Sequence, residues 1–233
     1  MRFRAKRAKN YSTRRYYKAP FFAHPGEIGD LFGYSNFHSG VEIDADFAII
    51  DIETSSLSPN SGYIIEVAIQ RISRDGNLLN SYQTLINPPD GQVGRPDIHK
   101  IVESDLRGAP TFEEASGDIL DFLQDSVVVA HNAKFEENFL SAEFSRVGVA
   151  TPVIPAIDTM WLAQMEHDLR NYKLPTVLAH YGFQIENAHT AFGDVLSIAK
   201  FLPVILDEVP TQLFPVSLRR LPEVHRTGKI KSR

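Results

Sequence analysis

Asp51 and Glu53 interrupt an otherwise apolar run, Phe47-Ala48-Ile49-Ile50-Asp51-Ile52-Glu53. Phe and Ile favour a strand, and so unbroken an apolar run suggests one buried on both faces in the middle of a sheet. Side chains alternate along a strand, so Ile49, Asp51 and Glu53 share a face and the two carboxylates stand ~7 Å apart. Burying an unpaired carboxylate costs several kcal/mol, and two of like sign cost more. Something positive has to compensate them.

Other acids recur at positions that should pack. Asp194 falls at i, i+4 and i+8 with Ile198 and Leu202, the face a helix there must bury. His189 precedes it by a rotation of about 140° if both were helical, so His189 is expected in the loop before that helix. In "HNAKFEENFLSAEF", Glu136 aligns with Leu140, Phe144 and Val147 on an apolar stripe. Glu137 is rotated about 100° away, toward Ser141, and is expected off that stripe. Singly, Glu136 could serve as a helix-dipole partner and Asp194 could sit in a partly buried salt bridge. Together Asp51, Glu53, Glu136 and Asp194 form an oxygen-only set, in a chain without cysteine and beside one histidine. Such a set suits Mg²⁺ or Mn²⁺ rather than zinc. Two such ions about 4 Å apart are a standard means of in-line phosphoryl displacement. A histidine with an ordinary pKa near ~6.5 can take a proton from water there.

These side chains need elements to carry them. Strands are predicted over 46–53, 62–73 and 79–87, with Asp75-Gly76-Asn77 as the turn between the second and third. Thr111 and Glu114 have capping-box spacing and open a helix to about residue 124. "SVVVAH" (126–131) reads as a strand, and helices follow over 133–146, 158–168, 174–181 and 190–207. Asp158 is expected to cap the helix it begins. A hairpin followed by strand–helix alternation implies a mixed sheet with helices packed on it.

The net charge of −5 conceals a segregation: residues 1–20 hold eight Lys/Arg and no acid, and residues 216–233 hold six against Glu223. That leaves ten bases against 28 acids between 21 and 215. The sequence therefore divides into a basic arm with an irregular docked segment (1–45), a central domain (46–208) and a basic tail (209–233). The arm, interleaved with Tyr11, Tyr16 and Tyr17, could follow phosphates and stack on bases, or be a solvated tail, or be an Arg-rich targeting segment. No run approaches 18 apolar residues, and the N-terminus lacks the apolar segment of a secretory signal. The absence of cysteine excludes disulfides and thiolate sites and fits the cytoplasm.

These stretches resemble the DEDDh 3′→5′ exonucleases, the DnaQ-like group of the DNA polymerase III epsilon subunit and RNase T. "FAIIDIETSSL" is similar to their first motif, "VVVAHNAKFEENFL" to their second, and "HTAFGDVLSIAKFL" to their third. "INPP", "DIHKI" and "IDTMWLAQ" fall where the family has intermediate landmarks, so the resemblance runs from about 46 to 205. It implies an α/β, ribonuclease-H-like fold, a five-stranded mixed sheet flanked by helices. It also implies Asp51, Glu53 and Asp194 as metal ligands and His189 as general base. Thr54, Ser55 and Leu57 would contact the terminal nucleotide, with His99 and Asn132 near the substrate.

Three positions depart from the pattern. Glu136 stands where the second motif has Asp, Ser56 where the first has Gly, and Lys100 where Gly follows the Ile-His pair. The expectation is an exonuclease using two divalent ions, Mg²⁺ or Mn²⁺, on the 3′ ends of single-stranded DNA or RNA. A polymerase or another replication, repair or RNA-processing protein would be its partner, and no membrane is involved. The alternative is a nucleic-acid-binding or docking module whose catalysis is weakened by Glu136.

Overall fold

A computed structural model describes residues 29–34, 46–73, 76–185, 190–208 and 223–224. Its centre is β2 (Phe47–Thr54), the apolar run in which Asp51 and Glu53 sit. β2 pairs antiparallel with β3 (Ile64–Ile72), which pairs antiparallel with β4 (Leu78–Leu85). On its other edge β2 runs parallel to β5 (Val127–Ala130), and β5 runs parallel to β7 (Ile154–Asp158). Parallel neighbours need crossovers, and helices supply them. α2 (Phe112–Leu123) precedes β5, and α3 (Ala133–Arg146) leads toward β7. The capping box of α2 is present as its sequence predicts: Thr111 accepts from Glu114 N–H, and the Glu114 carboxylate accepts from Thr111 N–H.

The main sheet has six strands, ordered β1-β7-β5-β2-β3-β4, where the sequence led us to expect five. The extra strand is β1 (Phe32–Tyr34), inside the segment expected to be irregular, and it pairs parallel with β7 at the sheet edge. Three residues give no readable alternation, so only the tertiary pairing reveals it. β6 (Thr151–Pro152) and β8 (Glu223–Val224) form a separate two-stranded ladder. α1 (Pro96–His99) is a single turn with a proline at its start. α4 (Thr159–Glu166), α5 (Leu174–His180) and α6 (Ala191–Glu208) complete the domain.

The period of two in β2 sorts its side chains between two cores. Ile50 and Ile52 pack with Phe112, Ile119, Phe139 and Phe144 of α2 and α3. Phe47 and Ile49 pack on the other side with Trp161, Val177, Val195, Ile198 and Leu202 of α4, α5 and α6. Asp51 and Glu53 follow Ile49 on the α6 side. The C-terminal ends of the parallel strands β2, β5 and β7 carry Glu53, the His131–Asn132 corner and Asp158, the edge where open α/β sheets bind ligands. Among the described residues no helix is long and apolar enough to cross a membrane.

Candidate active site

Four predicted ligands meet at that edge. Asp51 and Glu53 are half-buried on β2, Asp194 is half-buried in the first turn of α6, and Glu136 is 3% exposed in the first turn of α3. Their charges act on one another. Burial pushes the Asp51 carboxyl well up, and the charges of Glu136, Asp194, Glu53 and Glu66 push it further. Burial raises Glu53 to about 7, aided by Glu66 and Asp194. Burial also raises Glu136, and Asp158 and Asp194 add to the effect. As the side chains stand, no three His, Asp or Glu groups among the described residues close tightly enough to hold one ion. Each of these carboxylates nevertheless feels the charge of others in the set.

One observation bears on whether this donor set suits a hard cation. Glu136 Oε2 is buried and has no hydrogen-bond partner, a costly arrangement unless a ligand completes it. Every candidate donor is a carboxylate oxygen, as Mg²⁺ and Mn²⁺ prefer. His189 lies outside the described residues.

The loop that follows β2 is built tightly. A register shift between Glu53 and Thr54 breaks the β2–β3 ladder and re-aims the chain beyond Glu53. Thr54 Oγ1 then donates to the Ser56 carbonyl, and Ser55 accepts from Tyr63 N–H. Leu57 projects 90% exposed at the tip. Gly94, at φ +78°, lies against this loop: a Cβ there would come within 2.0 Å of the Ser55 carbonyl oxygen. His99, expected near substrate, is only 3% exposed. Its Nε2–H donates to the Val93 carbonyl and its Nδ1 accepts from Ile101 N–H. Both ring nitrogens are occupied, and Val93, which His99 bonds, immediately precedes the Gly94 that abuts Ser55.

Asn132 occupies the left-handed region (φ 78°) as it opens α3. The carboxylate of Asp158 secures that turn. It accepts from Asn132 and Ala133 N–H at the start of α3, and from Met160 and Trp161 N–H at the start of α4. The predicted cap of α4 is thus present, and the same side chain also caps the helix of Glu136. Burial outweighs those bonds and raises Asp158 to about 6. Next to Asn132, buried His131 bonds the Tyr172 carbonyl and the Thr159 hydroxyl, and burial lowers its pKa to about 4. It is a neutral staple.

Glu137 corrects an expectation. Rather than lying off the buried face, it is 1% exposed. Its Oε1 accepts from Leu31 and Phe32 N–H at 3.1 and 2.9 Å, and its Oε2 from Tyr34 OH at 2.9 Å and Lys134 Nζ at 2.9 Å. β1 covers that side of α3, and helical rotation alone could not reveal it. Glu66 belongs to none of the motifs, although it interrupts the apolar Ile64-Ile65-Glu66-Val67-Ala68 as Asp51 interrupts β2, a signal legible in the sequence. Its side chain is 5% exposed and faces the acids.

The exonuclease family profile of RNase T type matches residues 48–202. PolC-type DNA polymerase III of Clostridium perfringens is 32% identical over 164 residues, 68% of this chain and 11% of the polymerase. The same enzyme type of Thermotoga maritima is 35% identical over 153 residues, 65% of this chain and again 11% of the relative. The matched region thus spans about a tenth of these polymerases. Exonuclease I of E. coli, solved with a dA16 oligonucleotide, superimposes with TM-score 0.60 at 16% identity, over 71% of this chain and 41% of that one. A 3′-exonuclease solved for its recognition of the histone mRNA stem-loop does so with TM-score 0.60 at 15% identity, over 78% and 94%. These structures share the ribonuclease-H-like fold. With the ordered motifs and the profile match over most of its length, the chain belongs to the DnaQ-like exonuclease family.

Proposed function

We propose that the protein is a metal-dependent 3′→5′ exonuclease that removes nucleotides from single-stranded DNA or RNA ends. The observation that carries this reading is the convergence of Asp51, Glu53, Glu136 and Asp194, with the buried Glu136 Oε2 lacking any hydrogen-bond partner. Two divalent cations, Mg²⁺ or Mn²⁺, held by these four residues would supply positive charge at the reacting phosphate. The protein's own share is to hold and to deprotonate. Thr54 and Ser55 seat the terminal nucleotide, and Leu57 wedges against the last bases. Asn132 lies close to the same end. His189 accepts the proton of the attacking water. The water oxygen bonds to phosphorus as the bond to the preceding nucleotide's 3′ oxygen breaks, and that oxygen takes a proton from solvent to become the new 3′ hydroxyl.

The basic residues of 1–20 and 216–233 provide charge for longer strands, and a polymerase or other replication, repair or RNA-processing protein is the proposed partner. The similarity to PolC-type polymerases supports a polymerase context.

The test uses 5′-labelled DNA and RNA oligonucleotides of matched sequence, with Mn²⁺ and with chelator. A ladder shortening from the 3′ end only with metal is the expected result. Binding without shortening would replace this reading with a docking module.

A further inference from the structure

Glu66 lies outside the motifs, yet its side chain ties β3 and β4 to the start of α6, the helix that carries Asp194. On β3 it pairs with Glu53 directly across the β2–β3 ladder. Its Oε1 accepts from Gln83 Nε2 on β4 at 2.8 Å, and its Oε2 accepts from Ala191 N–H at 3.2 Å. Ala191 is the first residue of α6, and its amide is among those that no carbonyl within the helix can satisfy. Thr190 secures the amides that follow. Its Oγ1 accepts from Gly193 N–H and its carbonyl accepts from Asp194 N–H, each at 3.1 Å. Asp194 therefore begins one turn beyond a point pinned by Glu66.

A carboxylate suits this post because two donors approach from different elements and it offers an acceptor to each. Alanine would leave the buried Ala191 amide without this acceptor, whereas Gln83, exposed on β4, could turn to water. Glutamine could keep both. Its carbonyl would take the Ala191 amide, and its NH₂ would donate to Gln83 once that amide turned over.

We propose that Glu66 is a positioning residue that fixes the start of α6 against the β2–β3 ladder and so holds Asp194 in register with Asp51 and Glu53. It rests on the reading of those acids as a cation site. Groups that orient metal ligands typically change metal affinity or activity by roughly 10- to 100-fold when removed.

The experiment compares the full chain with Glu66→Ala, Glu66→Gln and Asp194→Asn. Mn²⁺ affinity is measured by titration calorimetry, kcat and KM on a labelled oligonucleotide, and amide exchange over residues 191–194. Glu66→Ala should weaken Mn²⁺ binding and lower kcat, each by roughly 10- to 100-fold, with KM little changed and faster exchange at Ala191. Glu66→Gln should restore all of these to within about threefold of the parent, the rescue expected when both bonds can be kept. If Glu66→Ala matched the parent in Mn²⁺ affinity and kcat, or Glu66→Gln were as impaired as Glu66→Ala, the positioning role would be overturned. Should Asp194→Asn itself bind Mn²⁺ and cleave normally, the cation-site reading would fall instead.

Discussion

Glu136 and Glu137 are consecutive on α3 and both buried, yet their carboxylates are in opposite situations. Both oxygens of Glu137 are occupied by Leu31, Phe32, Tyr34 and Lys134, whereas Oε2 of Glu136 has no hydrogen-bond partner. One residue holds a strand, and its neighbour faces the acidic cluster. The cost of changing each should therefore appear in different measurements.

Glu137→Ala should be a stability variant. It strands the buried Leu31 and Phe32 amides and the Tyr34 hydroxyl, which places the loss at roughly 3–5 kcal/mol. Urea denaturation should show the lower midpoint, and proteolysis should reach residues 29–34 early. A midpoint equal to the parent's would mean that β1 is held without Glu137.

Glu136→Ala should do the reverse. Losing a buried carboxylate whose proton affinity is already raised should leave metal-free stability unchanged or higher. Cleavage should nevertheless drop by about 10²-fold or more, the scale on which misplaced catalytic groups act. Glu136→Asp shortens the reach and should improve the reaction with Mg²⁺, which demands stricter octahedral geometry, relative to that with Mn²⁺. Rates of the parent and both variants with each metal decide the matter. Equal Mg²⁺/Mn²⁺ ratios in the parent and Glu136→Asp would separate this residue from metal choice.

The acidic cluster predicts an unusual pH dependence of stability. Asp51 and Glu136 are raised, Asp158 lies at about 6 and Glu53 at about 7, so the folded state binds these protons more tightly than the unfolded chain. Their contribution is fully present below the ordinary carboxylate range; the Asp158 and Glu53 shares are lost as pH rises through about 6 and about 7, and the raised Asp51 and Glu136 add to the loss in the same direction. Thermal melts in chelator should fall across that window, and Mn²⁺ should recover the loss at neutral pH. A flat profile in chelator would show that the carboxylates are not coupled as described.

Gly94→Ala tests the approach of residues 93–99 to the substrate loop. The new Cβ would collide with the Ser55 carbonyl while occupying a positive φ. KM for an oligonucleotide should rise several-fold, with a stability loss of about 1–3 kcal/mol. An unchanged KM would detach this contact from substrate binding.

Much of the framework was determined locally. Asp51 and Glu53 announce themselves because a period of two puts carboxylates on a face shared with Ile49, and no tertiary information is needed to see the cost. The capping box of Thr111 and Glu114 and the cap at Asp158 are likewise short-range chemistry, and both helices start where those residues place them. The order of the motifs carried the family and hence the fold. Tertiary structure decided what depends on residues far apart in the chain. Glu137 meets Leu31 across 106 positions, and Glu66 meets Ala191 across 125. Neither helical rotation nor strand alternation specifies the partner of a buried carboxylate, because periodicity gives the direction of a side chain but not what is packed against it. The sixth strand and the second cap made by Asp158 arise in that way. Each is set by backbone donors that another element brings up, and those donors meet their acceptors only when the sheet is assembled.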